Sequence, residues 1–580
     1  MEVSGQFKLG ALVTESSHPV TANLSDTAAQ DIAAALKLLF DVDDDVIRKF
    51  REFVESGSAE KIAATVLDSL KNGGRIFFTG CGSTGRLSIL LDSVWRGFWR
   101  TLKNKNWQER TFSVMAGGDF ALIKSVEGFE DFTAFGKKQM ADLGVSSKDV
   151  VFAITEGGET SFVIGTAWAG VEAGAKVYFV YNNPDEVLCE HVQRSREVIQ
   201  DSRIEKINLT TGPMAITGST RMQATSIQLC VMLTVLEMVV RDLIGLESAS
   251  VPKIFLEKLA GLQAGLKSPE VLAQLSKIVA LEESVYRAGH KNNYFADRLG
   301  IDVLTDTTER SPTYCTPPFR KSDDSAAAES WAFLFLPDEW TDSAWENILK
   351  RKPRCIGWRE EEIRALVEEE KVSRTQEIVR KISSLELMQF KIGSNGARFR
   401  PQGPGNSAIA IFSSSDRDSS VDCFFKQLET ARSNGSKTGL IYFGSPQDSL
   451  NGREKTVDET LFVPVPKANL LLNGVLRMAA KLVMNALSTC TMVRLGRVMG
   501  NYMVWVVPGN LKLIDRATRY IEKLAGLTYE QANALLFEVI EYVEPRMKSD
   551  QAYPPVVGMA VLRAREKLTN EEAEKRLENC

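Results

Sequence analysis

The sequence predicts an α/β protein that contains two doubly wound parallel sheets in tandem, followed by an all-helical C-terminal lid. Three observations support this prediction. Short apolar runs that end near Gly, Asn or Pro alternate with amphipathic stretches, a rhythm that is typical of parallel βαβ units. The alternation occurs twice along the chain, over residues 75–210 and again over residues 284–464. From residue 511 onward the pattern is helical.

The first half of the chain begins with apolar residues at helical spacing over residues 26–72. Apolar runs with the length of strands follow at residues 75–79, 112–116, 149–155, 177–181 and 206–210. Parallel sheets of this kind bind ligands at the carboxyl ends of their strands. Because glycines and hydroxyl residues follow the first and third of these strands, we expect a ligand site there.

The second half repeats the rhythm, with strands predicted at residues 284–288, 331–336, 408–412, 440–443 and 461–464. Apolar helices at 229–238 and 482–492 also resemble each other, and internal duplication is the economical explanation. Capping boxes at Thr528 and Thr569 start two C-terminal helices. Four units are predicted. They are an N-terminal arm and helix (residues 1–50), a first sheet domain with the ligand site (residues 51–248), a second sheet domain with a degenerate site (residues 249–510) and the lid (residues 511–580).

The composition excludes several classes of function. The 580 residues carry a formal charge of −5, so no basic excess is available for a nucleic-acid partner. The most apolar stretch, residues 229–240, is shorter than the roughly 20 residues of a membrane span, and no secretory signal is expected. The eight cysteines are scattered and there are only three histidines. We therefore expect a reducing cytoplasm, no metal site and no cofactor.

A glycine-rich loop follows the first predicted strand, with Gly80, Gly82 and Gly85 in a GxGxxG arrangement. Dinucleotide-binding folds share this arrangement, but the acidic residue that would bind the ribose is missing at the expected distance. The hydroxyls of Ser83 and Thr84, beside free N–H groups at a helix N-terminus, suit the compact dianion of a phosphomonoester. A tight turn with a Ser or Thr helix cap explains the same residues equally well.

The run GGRIFFTGCGSTGRL at residues 73–87 closely resembles the phosphate loop of the sugar isomerase (SIS) fold. Within that superfamily, the sequence is similar to the branch shared by glucokinase regulatory proteins and N-acetylmuramic acid 6-phosphate etherases. Further matches follow in chain order at residues 14–15, 116–119, 125–131, 212–213, 217–222, 500–503, 510–513 and 516–517. The resemblance is thin over residues 284–465. It implies two tandem SIS domains that bind a phosphorylated sugar.

The resemblance also implies a set of ligand-binding residues: Gly82, Ser83, Thr84, Glu127, Thr155, Glu156, Gly157, Thr160, Ser219 and Lys512. Hydroxyls and loop glycines in this set would hold the phosphate. Glu127 would bind a sugar hydroxyl, and Lys512 would neutralise phosphate charge. Three assignments have a structural alternative, since the acidic loop 155–160 also fits a solvated turn, Lys512 a surface lysine and Ser219 a helix cap.

Two functions follow from the resemblance. The etherases eliminate lactate with a base, whose position is Glu127 here, and an acid, whose position is Val94, which cannot transfer a proton. Asp92 comes two residues before Val94, which places it about 200° from Val94 around the same helix. It is therefore expected to face elsewhere. The length instead resembles the regulatory proteins, which implies a sugar-phosphate sensor that controls a partner such as a sugar kinase. The alternative is a lyase or isomerase that acts on an amino-sugar phosphate with Glu127 as base.

The second domain gives a weaker signal. Residues 288–293 take the place of the glycine-rich loop but lack its hydroxyls, so we expect no second phosphate site. The polar run from Ser413 to Asp416, after a predicted strand, is the one contrary sign.

Overall fold

Two parallel five-stranded sheets organise the chain. The computed structural model describes residues 9–126, 128–445, 448, 450, 452–509, 511–547 and 554–578. The first sheet consists of β1 (Ile76–Gly80), β2 (Thr111–Met115), β3 (Val150–Ile154), β4 (Lys176–Tyr181) and β5 (Ile204–Asn208). The second consists of β6 (Asn292–Ala296), β7 (Ala332–Phe335), β8 (Ser407–Ser413), β9 (Lys437–Phe443) and β10 (Glu459–Val463). A short antiparallel pair follows, β11 (Val498–Met499) and β12 (Tyr502–Met503).

The two large sheets have the same topology. Their strand orders are β2-β1-β3-β4-β5 and β7-β6-β8-β9-β10, and every neighbouring pair is parallel. In this order β6 corresponds to β1 and β8 corresponds to β3. The predicted fold class, two tandem parallel α/β domains followed by helices, is confirmed.

The helices fall into four groups along the chain. Before the first sheet lie α1 (Leu24–Gln30), α2 (Ile32–Val42), α3 (Asp44–Glu55) and α4 (Ser58–Lys71). The first domain contains α5 (Gly82–Thr101), α6 (Lys105–Gln108), α7 (Thr133–Asp142), α8 (Ser161–Glu172), α9 (Asp185–His191), α10 (Gln193–Gln200) and α11 (Gln223–Leu243). The second contains α12 (Val251–Leu266), α13 (Pro269–Arg287), α14 (Gly300–Tyr314), α15 (Thr341–Leu349), α16 (Glu360–Arg364), α17 (Glu369–Lys381), α18 (Ser384–Leu387), α19 (Asp418–Ser433) and α20 (Gly474–Arg494).

The C-terminal group is helical, as predicted. It contains α21 (Leu511–Ala525), α22 (Tyr529–Val543), α23 (Val556–Glu566) and α24 (Asn570–Glu578). Single 3₁₀ turns lie at Leu9–Ala11, Val13–Glu15, Pro19–Thr21, Asp119–Leu122, Ser394–Phe399, Arg453–Thr456 and Glu544–Arg546. Helix α21 packs against α22, α23 and the first of these turns, so the C-terminal helices contact the beginning of the chain.

Buried apolar strands and helices form the core. Every residue of β1, β3, β6, β7 and β8 is buried. Among the described residues one helix, α11, is long and apolar enough to cross a membrane by length and composition. Its most apolar window is fully buried inside the protein, where α11 packs against α3, α4 and α20. These contacts are those of a core helix.

The strand predicted at residues 284–288 is wrong. These residues form the end of α13 and the turn after it, and the strand β6 begins only at Asn292. The prediction failed because a short apolar run fits a buried helix face as well as a strand. The real strand was hidden because it opens with two polar residues. Asn292 accepts a hydrogen bond from the Ser407 hydroxyl at 2.7 Å, and Asn293 accepts one from Arg400 at 3.1 Å.

A buried charge network joins the two domains. Arg351, in the second domain, donates to Asp92 at 2.9 Å and to Asp119 at 2.5 Å in the first. Asp92 also accepts from Arg96 at 2.6 Å, and these cations hold the pKa of the buried Asp92 carboxyl low although burial alone would raise it. Asp92 therefore contacts the second domain through Arg351; its position on α5 predicted only that it faces away from the direction of Val94.

Candidate functional site

A cavity of about 280 Å³ lies at the carboxyl ends of β1 and β3. Its walls are the loops that follow these strands, the segment before α11, one face of α14 from the second domain, and the start of α21. Seven of the predicted ligand residues line it: Gly82, Ser83, Glu156, Gly157, Thr160, Ser219 and Lys512. Thr84 and Thr155 do not line it, and Glu127 lies outside the described residues.

The turn between β1 and α5 brings backbone N–H groups to the cavity. A Cβ atom at Gly80 would lie 2.3 Å from the backbone of Thr84, so the turn closes this tightly only with glycine there. Gly82 has φ of +55° and opens the 20-residue helix α5. The N-terminal end of such a helix carries partial positive charge and unpaired N–H groups, which favour an anion.

The two hydroxyls of this turn have different roles. The Thr84 hydroxyl is buried, accepts from the Cys81 N–H at 3.1 Å and donates to the Cys81 carbonyl at 2.9 Å. Ser83 lines the cavity, and within the described part of the chain its hydroxyl makes no hydrogen bond. The helix-cap interpretation therefore fits Thr84, and the ligand interpretation remains for Ser83.

The loop after β3 combines hydroxyls with two carboxyl groups. Thr155 is buried, and its hydroxyl lies 3.1 Å from that of Thr160, which reaches the cavity. Burial raises the pKa of Glu156 to about 8, and the charges of Glu309 and Glu159 add to the shift. At neutral pH the Glu156 carboxyl is therefore mostly protonated, so it can donate a hydrogen bond to an anion instead of repelling it.

Lys512 brings a positive charge to the cavity from α21. Its ammonium nitrogen lies 2.5 Å from Glu159 Oε1 and 3.8 Å from Glu130 Oε1. Burial opposes the charge of Lys512, but these carboxylates outweigh it and raise the pKa of the lysine. Burial likewise raises the pKa of Glu159, but Lys512 outweighs it and lowers that pKa to about 2. Lys512 is thus a paired cation inside the site, and the surface-lysine alternative does not hold.

A second pair attaches the same helix to the start of the chain. Arg516 Nε donates to Glu15 Oε2 at 3.0 Å, and Arg519 lies 3.5 Å from the same carboxylate. Burial raises the pKa of Glu15, but the two guanidinium groups outweigh it and the net shift is downward. Through Glu15 and Lys512, α21 is fixed at one edge of the cavity.

Two buried arginines complete the polar lining, and sequence reasoning did not assign them to the ligand. Arg86 Nε donates to the Thr308 hydroxyl at 3.1 Å, while its Nη2 is buried without a hydrogen-bond partner. Arg221 Nη2 lies 3.2 Å from Asp306 in the second domain, and its Nε and Nη1 are buried and unpartnered. Arg86 is the last residue of the motif Gly82-Ser-Thr-Gly-Arg, and its place in this motif is the sequence signal that could have assigned it to the site.

The position of Val94 requires a correction. Val94 does not line this cavity but a second one, because it lies twelve residues, or about 18 Å, along α5 from Gly82. The corresponding helix of the second domain, α14, supplies the facing wall here, with Glu309. Glu309 is 5% exposed, and its Oε1 lies 3.6 Å from Arg86 Nη1 without a hydrogen bond. The valine at position 94 therefore does not exclude a general acid in this cavity.

The loop of the second domain that corresponds to the glycine-rich turn was predicted at the wrong residues. Since β6 ends at Ala296, the loop that corresponds to the glycine-rich turn is residues 297–299 and not residues 288–293. Among the described residues, no group of three or more His, Cys, Asp or Glu side chains could hold a metal ion.

Three comparisons relate this chain to known proteins. Residues 59–169 match the family model of the glucokinase regulatory protein N-terminal SIS domain. N-acetylmuramic acid 6-phosphate etherases from Yersinia pestis (strain Pestoides F) and Yersinia pseudotuberculosis (serotype O:1b) are each 32% identical over 223 residues, which cover 38% of this chain and 68% of the etherase. A solved tagatose-6-phosphate ketose/aldose isomerase from Escherichia coli aligns with 83% of this chain and 99% of its own, at 10% identity and a TM-score of 0.42. The chain belongs to the sugar isomerase (SIS) superfamily, in the branch of glucokinase regulatory proteins and N-acetylmuramic acid 6-phosphate etherases.

Proposed function

We propose that the first cavity binds a phosphorylated sugar, with the phosphate at the N-terminus of α5. The observation that carries this proposal is the convergence of Ser83, the N–H groups of the turn and Lys512 on one small cavity. An N-terminal helix end, a free hydroxyl and a lysine are complementary to a compact dianion. Protonated Glu156 removes the repulsion that its charge would cause.

The sugar ring would lie between the loop after β3 and the wall from the second domain. Thr160 and Ser219 offer hydroxyls, and Glu309 offers a carboxyl group that can accept from a sugar hydroxyl. Glu127, which lies outside the described residues, keeps its proposed role at a sugar hydroxyl. The cavity is near the lower end of the usual size range for small-ligand sites, roughly 300–1,000 Å³, which suits one hexose phosphate.

The regulatory role follows from how α21 is held. A bound phosphate would compete with Glu159 for Lys512, and α21 packs on the other C-terminal helices. Ligand binding would therefore shift the equilibrium between arrangements of these helices, and so the surface they present to a partner such as a sugar kinase. The match to the regulatory-protein family model and the presence of a second domain with C-terminal helices support this proposal.

A lyase is the second candidate, and the position of Glu309 favours it. Elimination of an ether needs a base on one side of the bond and an acid on the other. Glu309 and Glu156 both line the cavity, so this site does not lack carboxyl groups that could exchange a proton. The likeness to the etherases supports the same candidate.

One experiment separates the two candidates. The protein is incubated with N-acetylmuramic acid 6-phosphate, glucose 6-phosphate and fructose 6-phosphate, and lactate release and thermal stabilisation are followed together. A regulatory protein will be stabilised without releasing lactate. Lactate release that is lost in Glu127→Gln and Glu309→Gln, but kept in Glu370→Gln on the exposed face of α17, would establish the lyase instead. If no compound is stabilising or turned over, the sugar-phosphate proposal is wrong.

A further inference from the structure

A groove of about 750 Å³ lies between the two domains. The first domain supplies the end of α5, the turn after it and α6, and the second supplies the end of α15 and the segment that follows it. Two carboxylates among the described residues line this basic groove, those of Glu109 and Glu346. The cationic side chains of its described lining are more numerous: Arg100, Lys103, Lys105, Lys350, Arg351, Lys352 and Arg354. The groove is therefore strongly positive, in a chain whose formal charge is −5.

Most of these cations have no internal counter-charge. Of the two lining carboxylates, Glu109 is already paired with Arg96 at 2.9 Å, and Glu346 is exposed on α15. Arg351 is held by carboxylates of the first domain. Within the described part of the chain, the other cations that have no carboxylate oxygen within 4.0 Å are Arg100, Lys103, Lys105, Lys350 and Lys352. An excess of unpaired positive charge remains in the groove.

The ends of helices explain only part of this excess. Arg100 lies in the last turn of α5 and Lys350 directly follows α15, and the helix dipole favours a cation at such C-terminal ends. Lys105 instead is the first residue of α6, and Lys352 lies three residues beyond the end of α15. Helix stabilisation therefore does not account for Lys105 and Lys352.

Burial and mutual repulsion disfavour the charge of two deeper cations. Burial lowers the pKa of Arg354 to about 10, and the charge of Arg351 adds to the shift although Asp92 opposes it. The Nη1 atom of Arg354 is buried without a hydrogen-bond partner, 3.9 Å from Asp92. Burial also lowers the pKa of Lys350 to about 8, and Arg100 adds to this shift although acidic side chains outside the groove oppose it. An anion in the groove would favour the charged form of both residues.

The rest of the lining indicates the chemistry of the ligand. Apart from charged side chains, the described lining consists of Gln108 and Pro353, so it contains no aromatic ring. Bases of single-stranded nucleic acids stack on aromatic side chains, and this lining offers none. Sugar hydroxyls and peptide amides are oriented by precisely placed polar groups, of which Gln108 is the one uncharged example among these side chains. The groove therefore recognises charge, and lysine binds phosphate groups as a point charge.

We propose that the basic groove binds a small anion that carries several phosphate groups and no aromatic base, such as tripolyphosphate or an inositol polyphosphate. Its volume lies within the range of small-ligand sites, roughly 300–1,000 Å³. Because the cations belong to both domains, the bound anion would join the domains beside Arg351, which already links them. This site goes beyond the proposed function, which concerns the first cavity, and the described linings of the two sites share no residue.

The test is calorimetric titration of the full chain with tripolyphosphate, inositol hexakisphosphate, ATP, inorganic phosphate and a deca-glutamate peptide. We expect tripolyphosphate or inositol hexakisphosphate to bind with one equivalent per chain, at least about a hundredfold more tightly than inorganic phosphate, because several cations contact one ligand. The tighter of the two identifies a linear or a ring-shaped ligand. ATP should bind no more tightly than tripolyphosphate, since the groove offers no ring on which its base could stack.

One exposed lysine from each domain provides the variant. Lys105→Gln and Lys352→Gln together should weaken this binding at least about tenfold, because two charge-assisted contacts are lost. Neither lysine holds a carboxylate, so the melting temperature should not change. The matched control, Lys277→Gln with Lys426→Gln, removes the same charge at two exposed lysines outside the groove and the first cavity. This control should bind like the wild type.

The proposal is overturned if neither polyphosphate binds more tightly than inorganic phosphate, or if the Lys105 and Lys352 substitutions weaken binding no more than the control. Tighter binding of ATP or of the peptide than of both polyphosphates also overturns it, because the groove would then serve a nucleotide or an acidic protein segment. Titration of sugar phosphates into the Lys105→Gln, Lys352→Gln variant tests the proposed function separately, since the lining of the first cavity is intact in it.

Discussion

The ammonium nitrogen of Lys512 lies 2.5 Å from a carboxylate oxygen of Glu159, although the two residues are 353 positions apart in the chain. This pair joins the C-terminal helices to the loop after β3, inside the first cavity. Lys512 is thus one of the cations that line the cavity, and it is already paired with an internal anion. A phosphate that enters the cavity has to compete with Glu159 for it.

Replacing Glu159 should lower the free energy of unfolding but raise the affinity for sugar phosphate. Glu159→Gln leaves Lys512 without its nearest counter-charge, which should lower the free energy of unfolding by about 3 kcal/mol. The same change removes the competing carboxylate, so sugar phosphate should bind more tightly than to the wild type. Urea unfolding and calorimetry measure the two effects. Lys512→Met is the counterpart, and it should weaken binding; equal affinities in both variants would contradict this account of the pair.

The affinity for phosphate should depend on the protonation of Glu156. Its folded-state pKa is raised to about 8, so the carboxyl keeps its proton below pH 8 and ionises above it. A phosphomonoester is already a dianion at pH 7, since its second pKa is about 6. Binding should therefore weaken by up to about tenfold between pH 7 and pH 9, as the new charge repels the ligand. Glu156→Gln should bind with an affinity that does not change over this range; a wild-type affinity that rises toward pH 9 would be inconsistent with the assignment.

Ser83 and Thr84 should respond differently to loss of their hydroxyls. Ser83→Ala should weaken sugar-phosphate binding by about tenfold and leave the melting temperature unchanged, because the Ser83 hydroxyl faces the cavity. Thr84→Ala should lower the free energy of unfolding by about 1 kcal/mol, since its hydroxyl bonds the backbone of Cys81. Thermal melting and titration of each variant decide the point. The reverse pattern would exchange the two roles.

The domain interface should depend on Arg351. Arg351→Met leaves Asp92 and Asp119 buried without their shared cation, which should cost about 3–5 kcal/mol of unfolding free energy. The control is Arg359→Met, which replaces an exposed arginine that follows Arg351 in the second domain. This change should alter the free energy of unfolding by less than about 0.5 kcal/mol. Urea unfolding of both proteins is the measurement. A loss at Arg351 no larger than at Arg359 would show that the network does not stabilise the interface.

The sequence predicted the fold where apolar runs and glycine turns coincide. Strands β1, β3 and β4 agree with the pattern because they are apolar on both faces and end at glycine or polar turns. Strand β6 escaped prediction because Asn292 and Asn293 are buried by hydrogen bonding, which apolar patterning does not detect. For the same reason the loop of the second domain was assigned to the wrong residues.

The prediction of the site relied on local motifs. The errors in this prediction arose where contacts between distant parts of the chain form the site. Ser83 and Gly157 follow strand ends, so their place at the cavity could be inferred from sequence. Glu309 could not, because it reaches the first cavity from the second domain and only the packing of α14 against α5 brings it there. Val94 was misjudged for the same reason, since it serves the other cavity.

The central claim is that the first cavity binds a phosphorylated sugar through Ser83 and Lys512. The most direct test is calorimetric titration of the wild type and of the Ser83→Ala, Lys512→Ala double variant with N-acetylmuramic acid 6-phosphate, glucose 6-phosphate and fructose 6-phosphate. We predict that at least one of these compounds binds the wild type and binds the double variant about a hundredfold more weakly, because two charge-assisted contacts are lost. Equal binding to both proteins, or no binding of any of the three compounds to the wild type, would contradict the claim.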